Sequence, residues 1–364
     1  MGLGACGLTS ADGAGGSGSK AATATSAKDF GGMDALVAAA KKEGKSNAIA
    51  LPRDWANYGQ IIETFEKKYG IKVEVENPDA SSQDEINAAA SRKGQDRSPD
   101  VIDVGRAFAI SAAGQNLLAP YRFSAFDQIP KAQKDAQARW YNDFGGYVSI
   151  GCDATRVKKC PKTFADLLDP QYKGKVALTG NPTKSGSAFG AVYAAALANH
   201  GSFDDIGPGL DFFTRLNKAG NFNPVESTPA TIQKGETPIS IDWDYLNAGY
   251  ADKFRAKGVD WKVRVPTVGV YAEYYSQAIV KWAPHPAARL WQEFLYSPEG
   301  QNLWLKGHAR PVLMPAMQKA GTLDTTIAAK LPQAPGGTTA FPTENQLSTA
   351  KQAVVQGWGR VVSG

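Results

Sequence analysis

Hydrophobic and polar positions along this chain switch repeatedly between a two-residue and a three- to four-residue period. Asn47 to Leu51 is a short apolar run closed by Pro52. Tyr58, Ile61, Ile62, Phe65 and Tyr69 then recur at three- and four-residue spacing, which predicts an amphipathic helix over 57–69 stopped by Gly70. Ile71-Lys72-Val73-Glu74-Val75 alternates strictly, as a half-buried strand does. A helix over about 83–93, a strand from Val101 to Val104 and a helix from about 107 repeat the order. Farther on, Lys175 to Thr179, Pro238 to Ile241, Trp261 to Val265 and Tyr274 to Val280 read as strands. Helices are predicted at 185–199, 208–219, 285–295, 298–306 and near 344–357. Strand–helix alternation of this kind predicts an α/β fold with a mostly parallel sheet.

Length and composition divide the chain. Residues 7–28 are almost entirely Gly, Ser, Ala and Thr, too poor in apolar area to offset their ordering entropy. As a flexible coil, that stretch reaches roughly 25 Å on average. Residues 1–28 therefore read as a disordered tether, and the remaining ~336 residues suit two lobes of roughly 150 each. No run of 18 or more apolar residues occurs. The formal charge is +5, from 40 basic and 35 acidic residues mixed along the length. The longest basic clusters, such as Lys67-Lys68 and Lys158-Lys159, are dipeptides that read as solvated surface, so a nucleic-acid partner is not expected.

Three cysteines occur, Cys6, Cys152 and Cys160. Leu3-Gly4-Ala5-Cys6 resembles the bacterial lipobox, in which small residues precede a cysteine that is lipidated, and a signal region is expected upstream. The expectation is an exported, lipid-anchored protein at the cell envelope. There, Cys152 and Cys160, which enclose seven residues, can stay oxidised as one bridge.

Enzyme signatures are sparse. His200, His285 and His308 lie far apart and suggest neither a metal pair nor a general base. There is no Gly-x-Ser-x-Gly elbow. Gly180-Asn181-Pro182-Thr183-Lys184-Ser185 lacks the glycine spacing of a phosphate loop. No catalytic residue, cofactor or resident metal is expected.

Four segments crowd polar and aromatic residues where strands end, the place at which open α/β sheets bind ligands. Arg53-Asp54-Trp55 with Tyr58 follows the first strand, where Trp55 can stack on a cation or apolar stem; a helix start capped by Asp54 explains the same residues. Arg106 and Phe108 follow Val104; Arg106 can grip a carboxylate or phosphonate with paired hydrogen bonds, or be a surface residue. Thr183, Ser185, Gly186 and Ser187 open an Ala-rich helix, and its free N–H groups favour an anion or simply an N-cap. Asp242-Trp243-Asp244-Tyr245 places two carboxylates and two aromatics in four residues, which fits an ammonium group, a metal ion or helix capping. Tyr271, Tyr274 and Tyr275 are expected close by.

Several runs are similar to family-1 extracellular solute-binding proteins. Asp54-Trp55-Ala56-Asn57-Tyr58 and the helix end from Phe65 to Val73 resemble the opening of that family. Thr163 through Val176, including Asp166-Leu167-Leu168-Asp169-Pro170-Gln171-Tyr172-Lys173-Gly174-Lys175-Val176, resembles its most specific signature. Asn181-Pro182-Thr183 with Ser185-Gly186, Ala283-Pro284-His285-Pro286, and Ser297-Pro298-Glu299-Gly300-Gln301 extend the likeness over most of the folded chain. The resemblance implies a two-lobed periplasmic-binding-protein fold of the second type with two crossover hinge strands. Lobe 1 would comprise 29–150 plus 280–364, and lobe 2 would comprise 151–279. It further implies a monomeric capture protein that hands a small solute to a membrane permease and its ATPase in an ABC importer. Members serve importers of ferric ion, polyamines, thiamine and aminoethylphosphonate. The expectation here is a small charged solute, polyamine- or aminoalkylphosphonate-like, with its anion at Ser185 to Ser187 and its amine near Asp242 or Asp244. Ferric ion is the alternative, although Tyr274-Tyr275 falls late in the pattern for an iron-gripping pair. An envelope enzyme using the same cleft and a sensor subunit that passes ligand status to a membrane receptor are the remaining alternatives.

Overall fold

The computed structural model of the chain describes residues 21–283, 285–332 and 340–363. Cys6 and its lipobox lie outside the described residues. Residues 21–28, expected in the tether, are docked: Ala21 and Ala24 are buried, and the Thr25 carbonyl accepts a hydrogen bond from the Arg122 N–H at 2.7 Å. Burial of these two alanines, together with the hydrogen bonds of Thr25 to Arg122 and Asp29, fixes the segment against the fold.

Ten strands occur among the described residues: β1 (Lys45–Ile49), β2 (Lys72–Glu76), β3 (Val101–Gly105), β4 (Leu118–Ala119), β5 (Tyr141–Asp153), β6 (Val176–Leu178), β7 (Ile239–Trp243), β8 (Trp261–Arg264), β9 (Ala272–Val280) and β10 (Arg310–Pro311). β1 and β2 pair in parallel. The others form a connected sheet of order β3-β9-β5-β7-β6, with β4 on β9 and with β8 and β10 on β5.

The expected mostly parallel sheet is not what forms. Only β1–β2 and β6–β7 run parallel; the remaining ladders are antiparallel. The cause is the pair of strands that carry the chain between lobes. β5 pairs with β9 from Tyr141 to Tyr147, then with β7 from Val148 to Cys152. Along one 13-residue strand the chain thus leaves one sheet half and enters the other, and β9 carries it back. Both crossovers run against their neighbours.

β5 carries no alternation because it is buried on both faces. Its glycines mark close backbone approach: a Cβ on Gly145 would lie 2.3 Å from the Glu273 carbonyl, and one on Gly146 would lie 2.0 Å from Asp244 Oδ1. Near the end of this strand, Cys152 is joined to Cys160 by a disulfide with Cα atoms 5.8 Å apart.

β1 and β3 are linked through Asp100, the residue before β3, rather than by a ladder. Asp100 Oδ2 accepts from the Asn47 N–H at 2.7 Å, and the Asp100 N–H donates to the Asn47 carbonyl at 2.8 Å. His285 Nδ1 lies 2.8 Å from the same Asp100 oxygen. The helix Glu344–Ser363 closes the chain. Its Trp358 packs against Phe213 and Phe222 in the second lobe, and its Lys351 ammonium sits 3.9 Å from the Phe108 ring centroid in the first. Among the described residues, no helix is long and apolar enough to cross a membrane.

Candidate functional site

A cleft of about 600 Å³ opens between the lobes beyond the carboxyl ends of β1, β3 and β6. Its first wall begins in a strained turn. Ala50, Ala56 and Asn57 all adopt left-handed backbone conformations, with φ of 56°, 42° and 70°, costly for residues with a Cβ and tolerated where neighbouring contacts fix them. The Trp55 N–H donates to the Pro52 carbonyl and the Gly59 N–H to the Arg53 carbonyl, and Gly59 has no Cβ to block that approach. The turn sets Asp54 and Trp55 on the cleft. Trp55 meets Tyr275 and Tyr245 edge-on, with centroids 5.6 and 6.4 Å apart.

The opposite wall is the start of the helix Gly186–Ala198. Ser185 Oγ accepts from the Ala188 N–H and donates to the Thr179 carbonyl, so its hydroxyl is consumed in capping. The lobes touch here. A Cβ on Gly186 would lie 3.0 Å from Gly105 Cα and 3.1 Å from the Tyr275 hydroxyl. The Gln83 N–H donates across the gap to the Lys184 carbonyl at 3.1 Å, and Lys253 Nζ pairs with Asp54 at 2.6 Å.

The cleft is acidic. Asp54, Asp79, Asp84, Glu85, Asp103 and Glu226 line it, against Lys184 alone among the lining residues. Asp54 is neutralised by Lys253, and Asp84 caps its helix through Ser81. Asp79, Asp84, Glu85, Asp103 and Glu226 form no ion pair among the described residues. Burial raises the Asp103 carboxyl to about 8, despite the hydrogen bond from Tyr58 that favours its charged form. Burial, then the Asp103 charge, pushes Glu85 well above the ordinary carboxyl range. Burial and Asp79 raise Glu226. Trp55, Tyr250 and Tyr275 add ring faces and edges.

Of the residues singled out in the sequence, Asp54, Trp55, Ser185, Gly186 and Tyr275 line this cleft. Arg53 points to Glu63 at the surface. Tyr58 is buried beneath the floor, its hydroxyl donating to Asp103. Arg106 is turned behind the cleft, where its guanidinium donates to the Pro342 and Ala132 carbonyls and lies 3.8 Å from Glu273; Phe108 is buried beside it. Thr183 closes a turn on Asn181. Ser187 donates its hydroxyl to Asp242 Oδ1, which consumes the polar group expected to meet an anion.

The Asp242–Tyr245 cluster turns inward. Asp242 is held by Ser187 and the Trp243 N–H, and burial raises it to about 6. Asp244 pairs with Arg310 at 2.8 Å and accepts the Tyr147 N–H. Trp243 stacks on Tyr245 and Tyr271, and Tyr271 donates to Glu273. Tyr274 meets Phe341 rather than the cleft. Among the described residues, no group of three His, Cys, Asp or Glu side chains is spaced to hold a metal. Asp79, Glu85, Asp103, Glu226 and Tyr250 are lining residues that the sequence reading missed.

A sequence profile for the bacterial extracellular solute-binding protein family matches residues 96–330, and the chain belongs to that family. An uncharacterised protein of Haemophilus influenzae is 26% identical over 215 residues, 56% of this chain and 59% of that protein. The chain thus aligns to less than two thirds of that relative. The fold is similar to the periplasmic binding protein AfuA of Actinobacillus pleuropneumoniae with fructose-6-phosphate bound, at a TM-score of 0.68 and 20% identity, covering 88% of this chain and 99% of that one. It is also similar to a Listeria monocytogenes protein attributed to spermidine/putrescine ABC transport, at a TM-score of 0.61 and 14% identity, covering 86% and 98%. These likenesses establish the two-lobed fold of periplasmic binding proteins.

Proposed function

We propose that this protein captures a small cationic solute bearing amine groups, polyamine-like in chemistry, between its lobes and delivers it to the permease of an ABC importer. The observation that carries this reading is the acidic lining of the cleft: five carboxyl groups without an ion-pair partner among the described residues, three aromatic side chains, and one lysine. An ammonium chain satisfies both sets, by charge-assisted hydrogen bonds and by attraction to ring faces. The anionic half of an aminoalkylphosphonate has less support, because Ser185 and Ser187 donate their hydroxyls within the protein and Arg106 is engaged behind the cleft.

The proposed setting is the cell envelope, with a lipid anchor at Cys6 and a monomeric capture protein. Lobe 1 takes 29–150 and the part from 280, and lobe 2 takes 151–279, with binding rather than catalysis as the task. Isothermal titration with putrescine, spermidine, aminoethylphosphonate and ferric citrate tests the ligand class. The two amines are expected to bind; silence for all four rejects the reading, and binding of ferric citrate alone replaces it.

A further inference from the structure

We infer that Asp103 is the specificity-determining contact for the cationic end of the solute, seating an ammonium group on its free oxygen. The inference rests on the reading of the cleft as an amine site and names the residue that makes it one. Asp103 sits in the middle of the buried strand β3 and lines the cleft while being only 5% exposed. One oxygen, Oδ2, accepts from the Tyr58 hydroxyl at 2.5 Å, and Tyr58 is itself oriented by Gln277 Nε2 at 2.8 Å. The other oxygen, Oδ1, is buried with no hydrogen-bond partner among the described residues. A buried acceptor left open is unfavourable in the empty protein and is the group an incoming donor satisfies.

The surroundings specify the sign of that donor. The Glu85 carboxylate accepts the Asp103 N–H at 2.9 Å from the helix Ser82–Ser91. Asp143 faces it from β5, Tyr58 from the helix Tyr58–Tyr69, and Tyr275 from β9. Tyr245 and Tyr296 also feel its charge. All six are carboxyl or phenol groups, so none can supply positive charge.

An unpaired carboxylate in such a place stays protonated rather than buried as a charge. When an ammonium arrives, the carboxyl O–H breaks, the carboxylate accepts an N–H from the ligand, and the proton leaves to solvent. The ligand keeps its charge throughout. Capture of the amine is therefore coupled to release of about one proton.

The experiment is isothermal titration of putrescine and spermidine into the wild-type chain and Asp103→Asn near pH 7, each in phosphate and in Tris. Asparagine keeps an acceptor for Tyr58 while presenting N–H donors to the ligand. The expected result is wild-type binding whose heat differs between the buffers by release of about one proton, and about thirty-fold or weaker binding by the variant. Equal affinity of the two proteins overturns the role of Asp103 and leaves the amine reading standing. Absence of amine binding by the wild type overturns both. If Asp103→Asn does not fold, the wild-type buffer comparison decides: heats that do not depend on the buffer overturn the inference.

Discussion

Replacing Gly186 by alanine tests whether the lobes must meet at the cleft to hold a ligand. The new Cβ would lie 3.0 Å from Gly105 Cα, 3.1 Å from the Tyr275 hydroxyl and 3.3 Å from the Gly105 nitrogen. Two of these atoms are backbone and one belongs to a buried side chain, so little can yield. Overpacking of this kind costs about 1–3 kcal/mol. Gly105 ends β3 in one lobe, and Gly186 opens a helix in the other, so the penalty falls on the joined arrangement and not on either lobe. Within the helix itself alanine is favoured over glycine by up to about 1 kcal/mol. The expected outcome is an unchanged or slightly raised melting temperature with affinity reduced about 5- to 150-fold. Calorimetric titration with the amine that binds the wild type reads the affinity, and small-angle scattering without ligand reads the expected increase in radius of gyration. Gly114→Ala, where a Cβ meets nothing within 4 Å, is the control. Wild-type affinity together with an unchanged radius in Gly186→Ala refutes the reasoning.

Trp55→Ala removes a half-buried ring from the cleft wall and is expected to weaken amine binding by about 1–2 kcal/mol, with little change in melting temperature. Loss of both would show that the ring is structural. The Cys152→Ser/Cys160→Ser double variant opens a loop of sequence separation 8 and is expected to lower stability by about 2–3 kcal/mol in denaturant titration. His285→Gln probes the pair with Asp100. Although burial opposes its charge, the hydrogen bond to Asp100 raises the imidazole above its ordinary value. Its stabilisation is therefore complete below the unfolded value of about 6.5 and disappears as pH rises through the folded value. The variant is expected to lose about 1–2 kcal/mol near pH 5 and little near pH 9; equal losses at both pH values refute the charge assignment.

Elements with a clear period were legible in the sequence. The helix Tyr58–Tyr69 and strand β2 fall within a residue or two of the pattern that predicts them. β5 was not legible, because burial on both faces removes alternation. In the cleft, Trp55 was found because it directly follows a strand.

The carboxyl groups of Glu85, Asp103 and Glu226 were missed for a different reason. They stand in three segments far apart in the chain, and only the fold brings them together. The reverse error came from Asp242 and Asp244, whose density in sequence marked them as ligand contacts. Their partners, Ser187 and Arg310, stand 55 and 66 residues away, and no local pattern shows that these carboxylates are already engaged.

The terminal helix Glu344–Ser363 alters the mechanics of the pair of lobes. Two strands alone would leave the halves free to twist as well as bend, whereas a rod fastened to both restricts them to the rotations it can follow. Opening must either carry this rod along with one half or peel it from the other. The helix Glu344–Ser363 thus ties the two halves together, although none of its residues lines the cleft.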